Sequence, residues 1–155
     1  MPVTIDRKVP DFTAPATGDA GEVRLSRLAG SNVVLYFYPK DNTPGCTTEG
    51  QDFANAYPKF KRAGALVFGA SRDNLKSHEK FKEKMSFPFE LISDPDEKLC
   101  ELFGVMKMKN MYGRQVRGVE RSTFVIDREG RLRREWRGVK VPGHVDEVLA
   151  FVAGL

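Results

Sequence analysis

Two cysteines stand in this chain, and the neighbours of one of them are not those of a packing residue. Cys46 follows Thr43-Pro44-Gly45 and precedes Thr47-Thr48-Glu49. Thr43 suits a helix N-cap and Pro44 the first helical position, where its missing N–H costs nothing. Cys46 then falls in the first turn, among outward-pointing N–H groups at the positive end of the helix dipole. A thiol placed there is drawn toward the thiolate, the nucleophilic form. Thr43, three residues earlier, offers a hydroxyl beside the sulfur. The alternative is a buried cysteine acting as a small hydrophobe, a role that Gly, Thr and Thr neighbours fit poorly.

The elements that must hold this sulfur can be read on either side of it. Val33 to Tyr38 is an apolar, β-branched and aromatic run, a buried strand. Pro39 to Gly45 is a breaker-rich turn. A helical pattern follows, with Phe53, Tyr57 and Phe60 at spacings of four and three. Ala65 to Ser71 is a second apolar strand, so strand, helix and strand predict a right-handed crossover and parallel pairing. Asp73 to Met85 is a polar helix with Leu75, Phe81 and Met85 turned inward; His78 on it is expected to be exposed. Phe87 to Ser93 is a short strand. Asp94 then caps a helix, with Pro95 at its first position, that carries Leu99, Cys100, Leu102 and Phe103 and ends at Gly104.

Residues 106–119 mix Met, Lys, Asn, Tyr and Gly and read as a loop or lid, either a solvated connector or a rim of the site. Arg121 to Asp127 is a strand, Asp127 to Gly130 a hairpin turn, and Arg131 to Val139 the return strand. There Leu132, Arg134 and Trp136 are expected on one side, with Arg131, Arg133 and Arg137 mostly on the other. Its basic run fits a charged sheet edge better than a phosphate-binding stripe. His144 opens a final helix with Val145, Val148, Leu149 and Val152 facing inward. Before all this, Thr17 to Gly21 is turn chemistry, and Glu22 to Leu25 alternates like a hairpin strand.

Length and composition bound the class. At 155 residues the chain is read as one domain, 1–155. A net charge of +4 does not by itself call for nucleic acid, and 30% charged with 41% hydrophobic residues is an ordinary globular mixture. No apolar run approaches a membrane span, and the opening Met-Pro-Val-Thr-Ile-Asp-Arg lacks a signal-peptide core. Two separated cysteines argue against a disulfide scaffold, and neither His has ligand spacing, so no metal and no cofactor are expected. A reducing cytoplasm is the expected location.

Tyr38-Pro39 followed by Thr43-Pro44-Gly45-Cys46-Thr47-Thr48-Glu49 resembles the active-site loop of the peroxiredoxins, in the branch called peroxiredoxin Q or bacterioferritin comigratory protein. Pro10-Asp11-Phe12, Ser93-Asp94-Pro95-Asp96 and Glu120 to Asp127 extend the likeness over most of the chain. The resemblance implies an α/β thioredoxin-like fold, a central mixed sheet flanked by helices with an N-terminal β-hairpin. It implies a thiol peroxidase, reducing hydrogen peroxide or organic hydroperoxides through a Cys46 sulfenic acid. It puts the family's active-site arginine at Arg121 and its shielding proline at Pro39, and leaves a weaker role for Glu49 in orienting Arg121. The lesser alternative for Arg121 is a surface salt-bridge partner of Glu120 or another acid.

Many members of that branch carry a resolving cysteine five residues after the first, or on the next helix. Here those positions are Gln51 and Lys82 or its neighbourhood. Cys100 is the one thiol left, on an apolar helix face, and is read as packing. That implies a one-cysteine mechanism served by an external thiol, either thioredoxin or glutathione with glutaredoxin. A Cys46–Cys100 disulfide is the alternative. The branch leans toward monomers. A second class, a thioredoxin-like disulfide reductase or redox-regulated binding module, stays open; the reductase lacks the second sulfur of a Cys-x-x-Cys pair.

Overall fold

The computed structural model describes residues 3–155; Met1 and Pro2 of the opening stretch lie outside the described residues. A short antiparallel hairpin comes first, β1 (Thr13–Pro15) with β2 (Glu22–Arg24), followed by one 3-10 turn at Leu25–Leu28. Then come β3 (Asn32–Phe37), α1 (Pro44–Arg62), β4 (Ala65–Ser71), α2 (Leu75–Met85), β5 (Glu90–Ser93) and α3 (Lys98–Phe103). The chain ends with β6 (Met106–Met111), β7 (Arg114–Val119), β8 (Ser122–Ile126), β9 (Leu132–Arg137) and α4 (His144–Ala153).

Five strands form the central sheet in the order β5-β4-β3-β8-β9. The pairs β3–β4 and β4–β5 are parallel, while β3–β8 and β8–β9 are antiparallel. The sheet is therefore mixed, as expected, and β3 lies at its centre. All six residues of β3 are buried, because helices and loops cover both faces.

Strand alternation divides the core in two. Val33, Leu35 and Phe37 point to one face, where they meet the N-terminal hairpin, α3, Phe124 and Ile126. Val34, Tyr36 and Tyr38 point to the other, toward Phe53 and Phe60 of α1, Phe81 of α2, and Val145 and Val148 of α4. Tyr36 stacks on Phe53 with ring centroids 4.5 Å apart. Burying each such ring contributes roughly 2–3 kcal/mol, so α1 is pinned to the sheet by the stripe read from its spacing. Gly50 permits the close approach of α1 to Phe87; a Cβ there would sit 2.4 Å from Phe87 Cζ.

Four expectations are corrected. Residues 106–119 are not a loop: β6 and β7 pair from Met106↔Val119 to Met111↔Arg114 around a turn at Tyr112-Gly113, both with positive φ. Alternation is confined to Met106-Lys107-Met108-Lys109 and is not matched by burial, since the ribbon's residues are mostly exposed, so pattern reading finds only a weak strand signal. The helix after Asp94 starts at Lys98, not Pro95; the Asp94 carboxylate still caps it, accepting from the N–H groups of Leu99 (3.0 Å) and Cys100 (2.7 Å). Leu132 and Trp136 lie on opposite faces, because a bulge opposite Val125/Ile126 gives β9 one extra residue, Arg133, and reverses its alternation. His78 is fully buried, not exposed. It shares the inward stripe of Leu75, Phe81 and Met85, a spacing that could have revealed it.

As expected, β9 is an edge strand. Arg134 stacks on Trp136 at 4.6 Å, Arg133 pairs with Asp127 at 3.3 Å, and Arg137 donates to the Gly104 and Phe103 carbonyls at 2.9 Å each. These commitments leave no free basic stripe on it. Among the described residues no helix is long and apolar enough to cross a membrane.

Candidate active site

Cys46 is the third residue of α1, in its first turn, with Thr43 at the N-cap position and Pro44 opening the helix. Thr43 has the extended backbone of a cap, yet its hydroxyl does not cap the helix. It donates instead to the Lys40 carbonyl at 2.8 Å and tightens the turn between β3 and α1. Pro39 and Thr43 are both half-buried in that turn. Cys46 itself is buried, 3% exposed, at the margin of the core cluster beneath α1.

Tertiary structure brings a cation to this sulfur. Arg121, at the head of β8, donates through Nη2 to Cys46 Sγ at 3.3 Å and through Nη1 to Glu49 Oε1 at 2.6 Å. One planar guanidinium thus bridges two residues one helical turn apart, a fork geometry that lysine lacks. Glu120, the alternative partner considered for Arg121, forms no ion pair among the described residues. Gly45 leaves the guanidinium room: a Cβ there would lie 3.1 Å from Nη2.

The electrostatics follow from burial. Glu49 is fully buried with Oε2 unpartnered, and burial pushes its carboxyl up to about 7 despite the opposing Arg121 charge. Burial also works against the Arg121 cation, but the Glu49 and Cys46 groups beside it outweigh that and raise it. The cation is thus secure, and the cost of the pair falls on the carboxylate. His144, at the start of α4 as expected, bonds Thr123 Oγ1 through Nε2 at 2.8 Å. Burial first, with Arg121 nearby adding to it and Glu147 opposing, lowers its ring to about 4.

Cys100 lies elsewhere. It belongs to the cluster on the other sheet face, with Leu99, Phe103 and Phe124. Burial, with the Asp94 carboxylate alongside, pushes its thiol well above the usual range. Both cysteines are free thiols.

Sequence reading missed a buried polar group behind the Pro39–Thr43 turn. There Asp41, Asp73 and His78 bring potential ligand atoms within 4.8 Å of one another. Those oxygens are already taken up by donors: Tyr38 and Ser77 on Asp41, Ser71 on Asp73. The cluster is therefore a hydrogen-bonded network.

A mixed sheet with a thiol at the start of the helix after its central strand, paired to an arginine at the head of another strand, defines a thioredoxin-like cysteine redox protein. A family model described as AhpC/TSA family matches residues 5–135. The chain belongs to that family, and within it to the peroxiredoxins, which are thiol-dependent peroxidases. It is 54% identical over 140 residues to peroxiredoxin Bcp of Xanthomonas campestris pv. campestris, covering 90% of this chain and 88% of that protein. It is 50% identical over 150 residues to peroxiredoxin Bcp of Bacillus subtilis, covering 96% and 94%. Among solved structures, Xanthomonas campestris peroxiredoxin Q superposes with a TM-score of 0.88 at 51% identity, over 92% of this chain and 90% of that one. A Xylella fastidiosa PrxQ mutant superposes with a TM-score of 0.92 at 43% identity, over 98% and 96%. A further structure of the Xanthomonas protein is described by its alkyl peroxide reduction activity and trapped intermediates.

Proposed function

We propose that Cys46 is the peroxidatic nucleophile of a one-cysteine peroxiredoxin and that an external thiol completes its cycle. The single observation that carries this is the Arg121 Nη2–Cys46 Sγ contact of 3.3 Å at a helix N-terminus. A guanidinium in that position stabilises the anionic sulfur before attack and the developing negative oxygen during it.

In the first step the thiolate attacks the terminal oxygen of ROOH. The S–O bond forms as the O–O bond breaks. The O–O electron pair leaves on the alkoxide, which takes a proton to become ROH, and Cys46 is left as a sulfenic acid. Thr43 and Pro39 in the adjoining turn are assigned to substrate: Thr43 holds the peroxide oxygens in line, and Pro39 covers the sulfur from bulk water. Glu49 orients Arg121. In the second step an external thiol attacks the sulfenic sulfur, releasing water and leaving a mixed disulfide. A second thiol equivalent restores Cys46 and carries away the disulfide.

The one-cysteine reading is favoured by Cys100 standing on the opposite sheet face, and by Gln51 and Lys82 where relatives of this branch can carry a second cysteine. Lys82 instead ties α2 to β5 through Glu90 at 2.5 Å. We read the chain as a single domain, 1–155, acting as a monomer in the cytoplasm. Thioredoxin, or glutathione with glutaredoxin, is the reductant class. Purified protein with dithiothreitol should consume hydrogen peroxide and an alkyl hydroperoxide, and Cys46→Ser should consume neither. Undiminished consumption by Cys46→Ser would sink the reading.

A further inference from the structure

We propose that His78 and Asp41 are positioning residues for the peroxidatic site: α2 clamps the turn that presents Pro39 and Thr43. This rests on the peroxidase reading above and adds to it a residue pair that touches neither the sulfur nor the substrate.

The turn from Pro39 to Thr43 has no regular secondary structure, and Asn42 within it adopts φ 60. Besides the Thr43–Lys40 bond and a bond from Lys84 Nζ to Asn42 Oδ1 at 2.8 Å, its buried anchor is Asp41, only 7% exposed. Its Oδ1 accepts from the Tyr38 hydroxyl at 2.6 Å. Its Oδ2 accepts from the Ser77 hydroxyl at 2.8 Å and faces His78 Nδ1 at 2.7 Å. Its backbone N–H donates to Asp73 Oδ2 at 2.9 Å, and Ser71 Oγ holds that oxygen at 2.5 Å. Four of these partners lie on β4, α2 and the residues joining them, and the fifth, Tyr38, directly follows the central strand.

His78 is the fully buried member. Its Nε2 faces the Ile92 carbonyl at 2.9 Å, so the ring spans two acceptors, a carboxylate on one side and a strand carbonyl on the other. The ring thereby links the turn to β5 through α2. A carboxylate buried this deeply persists only if donors meet it from several sides. Asp41 lies two residues after Pro39 and two before Thr43. Fixing it fixes where both approach the sulfur, to within the fraction of an ångström that in-line attack requires.

Two half-substitutions separate positioning from core packing. His78→Asn keeps an N–H where Nδ1 stood and loses the Ile92 bond. His78→Gln keeps the Ile92 bond and loses the one to Asp41. The readout is the ratio of the peroxide rate constant of Cys46 to its rate of alkylation by iodoacetamide, which needs the thiolate but not an aligned peroxide. His78→Asn should lie within about threefold of wild type, and His78→Gln should fall about tenfold or more. Because either variant can fail to fold, the half-buried Ser77 supplies a second pair: Ser77→Ala should lower the ratio about threefold and Ser77→Thr should restore it. Equal ratios for the two His78 variants, or Ser77→Thr as impaired as Ser77→Ala, overturn the clamp. A wild-type protein that consumes no peroxide overturns the peroxidase reading instead, whatever the His78 variants do.

Discussion

Cys46 and Cys100 lie on opposite faces of one five-stranded sheet, Cys46 in the first turn of α1 and Cys100 in α3. A disulfide between them would have to pass a layer whose central strand is fully buried and hydrogen-bonded on both edges. Sulfur atoms bond at about 2 Å, so a disulfide between these two would require local unfolding of at least one helix, beyond side-chain rotation.

The first expected outcome concerns Cys100. Cys100→Ala should leave peroxide turnover with a monothiol unchanged. Its cost is a small cavity in the α3 face, about 1 kcal/mol in a urea titration. After one equivalent of peroxide, a dimedone-type reagent should label Cys46 sulfenic acid equally in wild type and variant. Faster loss of labelling in wild type alone would mean that Cys100 resolves the intermediate after all.

Arg121 gives the sharpest activity effect. Arg121→Met removes the donor to Sγ and leaves Glu49 buried without its cation. The peroxide rate constant should fall by about 10²–10³, the usual cost of losing a charge-stabilising donor. Arg121→Lys, which cannot span both partners, should recover only part of it. Stopped-flow oxidation rates measure both, and a Lys variant as fast as wild type would remove the case for the fork.

Acid and base act on two buried groups with opposite sign. Glu49, raised by burial to about 7 from 4.5, binds its proton more tightly folded than unfolded. Its contribution is therefore fully present below pH 4.5 and lost as pH rises through 7. His144, lowered by burial to about 4 from 6.5, is held neutral; its contribution is present above pH 6.5 and lost as pH falls through 4. The two windows overlap, so wild-type stability should vary little there. Glu49→Gln should unmask a protein that weakens from pH 7 to 4, and His144→Gln one that weakens from pH 4.5 to 7, by about 3 kcal/mol each. Urea midpoints across that range provide the check; parallel curves for both variants would contradict it.

Gly50 is a packing prediction. Its position would place a Cβ 2.4 Å from the Phe87 ring, which stacks on Phe89 and meets Phe81 edge-on. With Phe87 locked between neighbours, Gly50→Ala should destabilise by about 1–2 kcal/mol. The clash outweighs the gain of up to about 1 kcal/mol in helix propensity. A variant more stable than wild type would show that Phe87 yields.

Local chemistry was legible where a residue's neighbours in sequence decide its state. The Thr43-Pro44 start of α1, the Phe53/Tyr57/Phe60 stripe, the run of β3 and the Asp127–Gly130 turn all stand as read. Legibility failed where the deciding partner is remote. Thr43 forms the expected cap backbone, but its hydroxyl turns to Lys40. His78 looks like an exposed residue between Ser77 and Glu79 until Asp41 and Ile92 meet it. The β6–β7 ribbon owes its regularity to pairing, which a polar sequence does not announce.

By itself, then, the sequence determined a sulfur at a helix start, because capping and the helix dipole act within one turn of chain. Tertiary structure decided that Arg121, 75 residues further on, reaches that sulfur, that Glu49 and His144 are buried deeply enough to shift, and that Cys100 is walled off behind the sheet. The reason is range: hydrogen bonds and ion pairs act over a few ångströms, and only the order of strands in the sheet says which distant residues come that close.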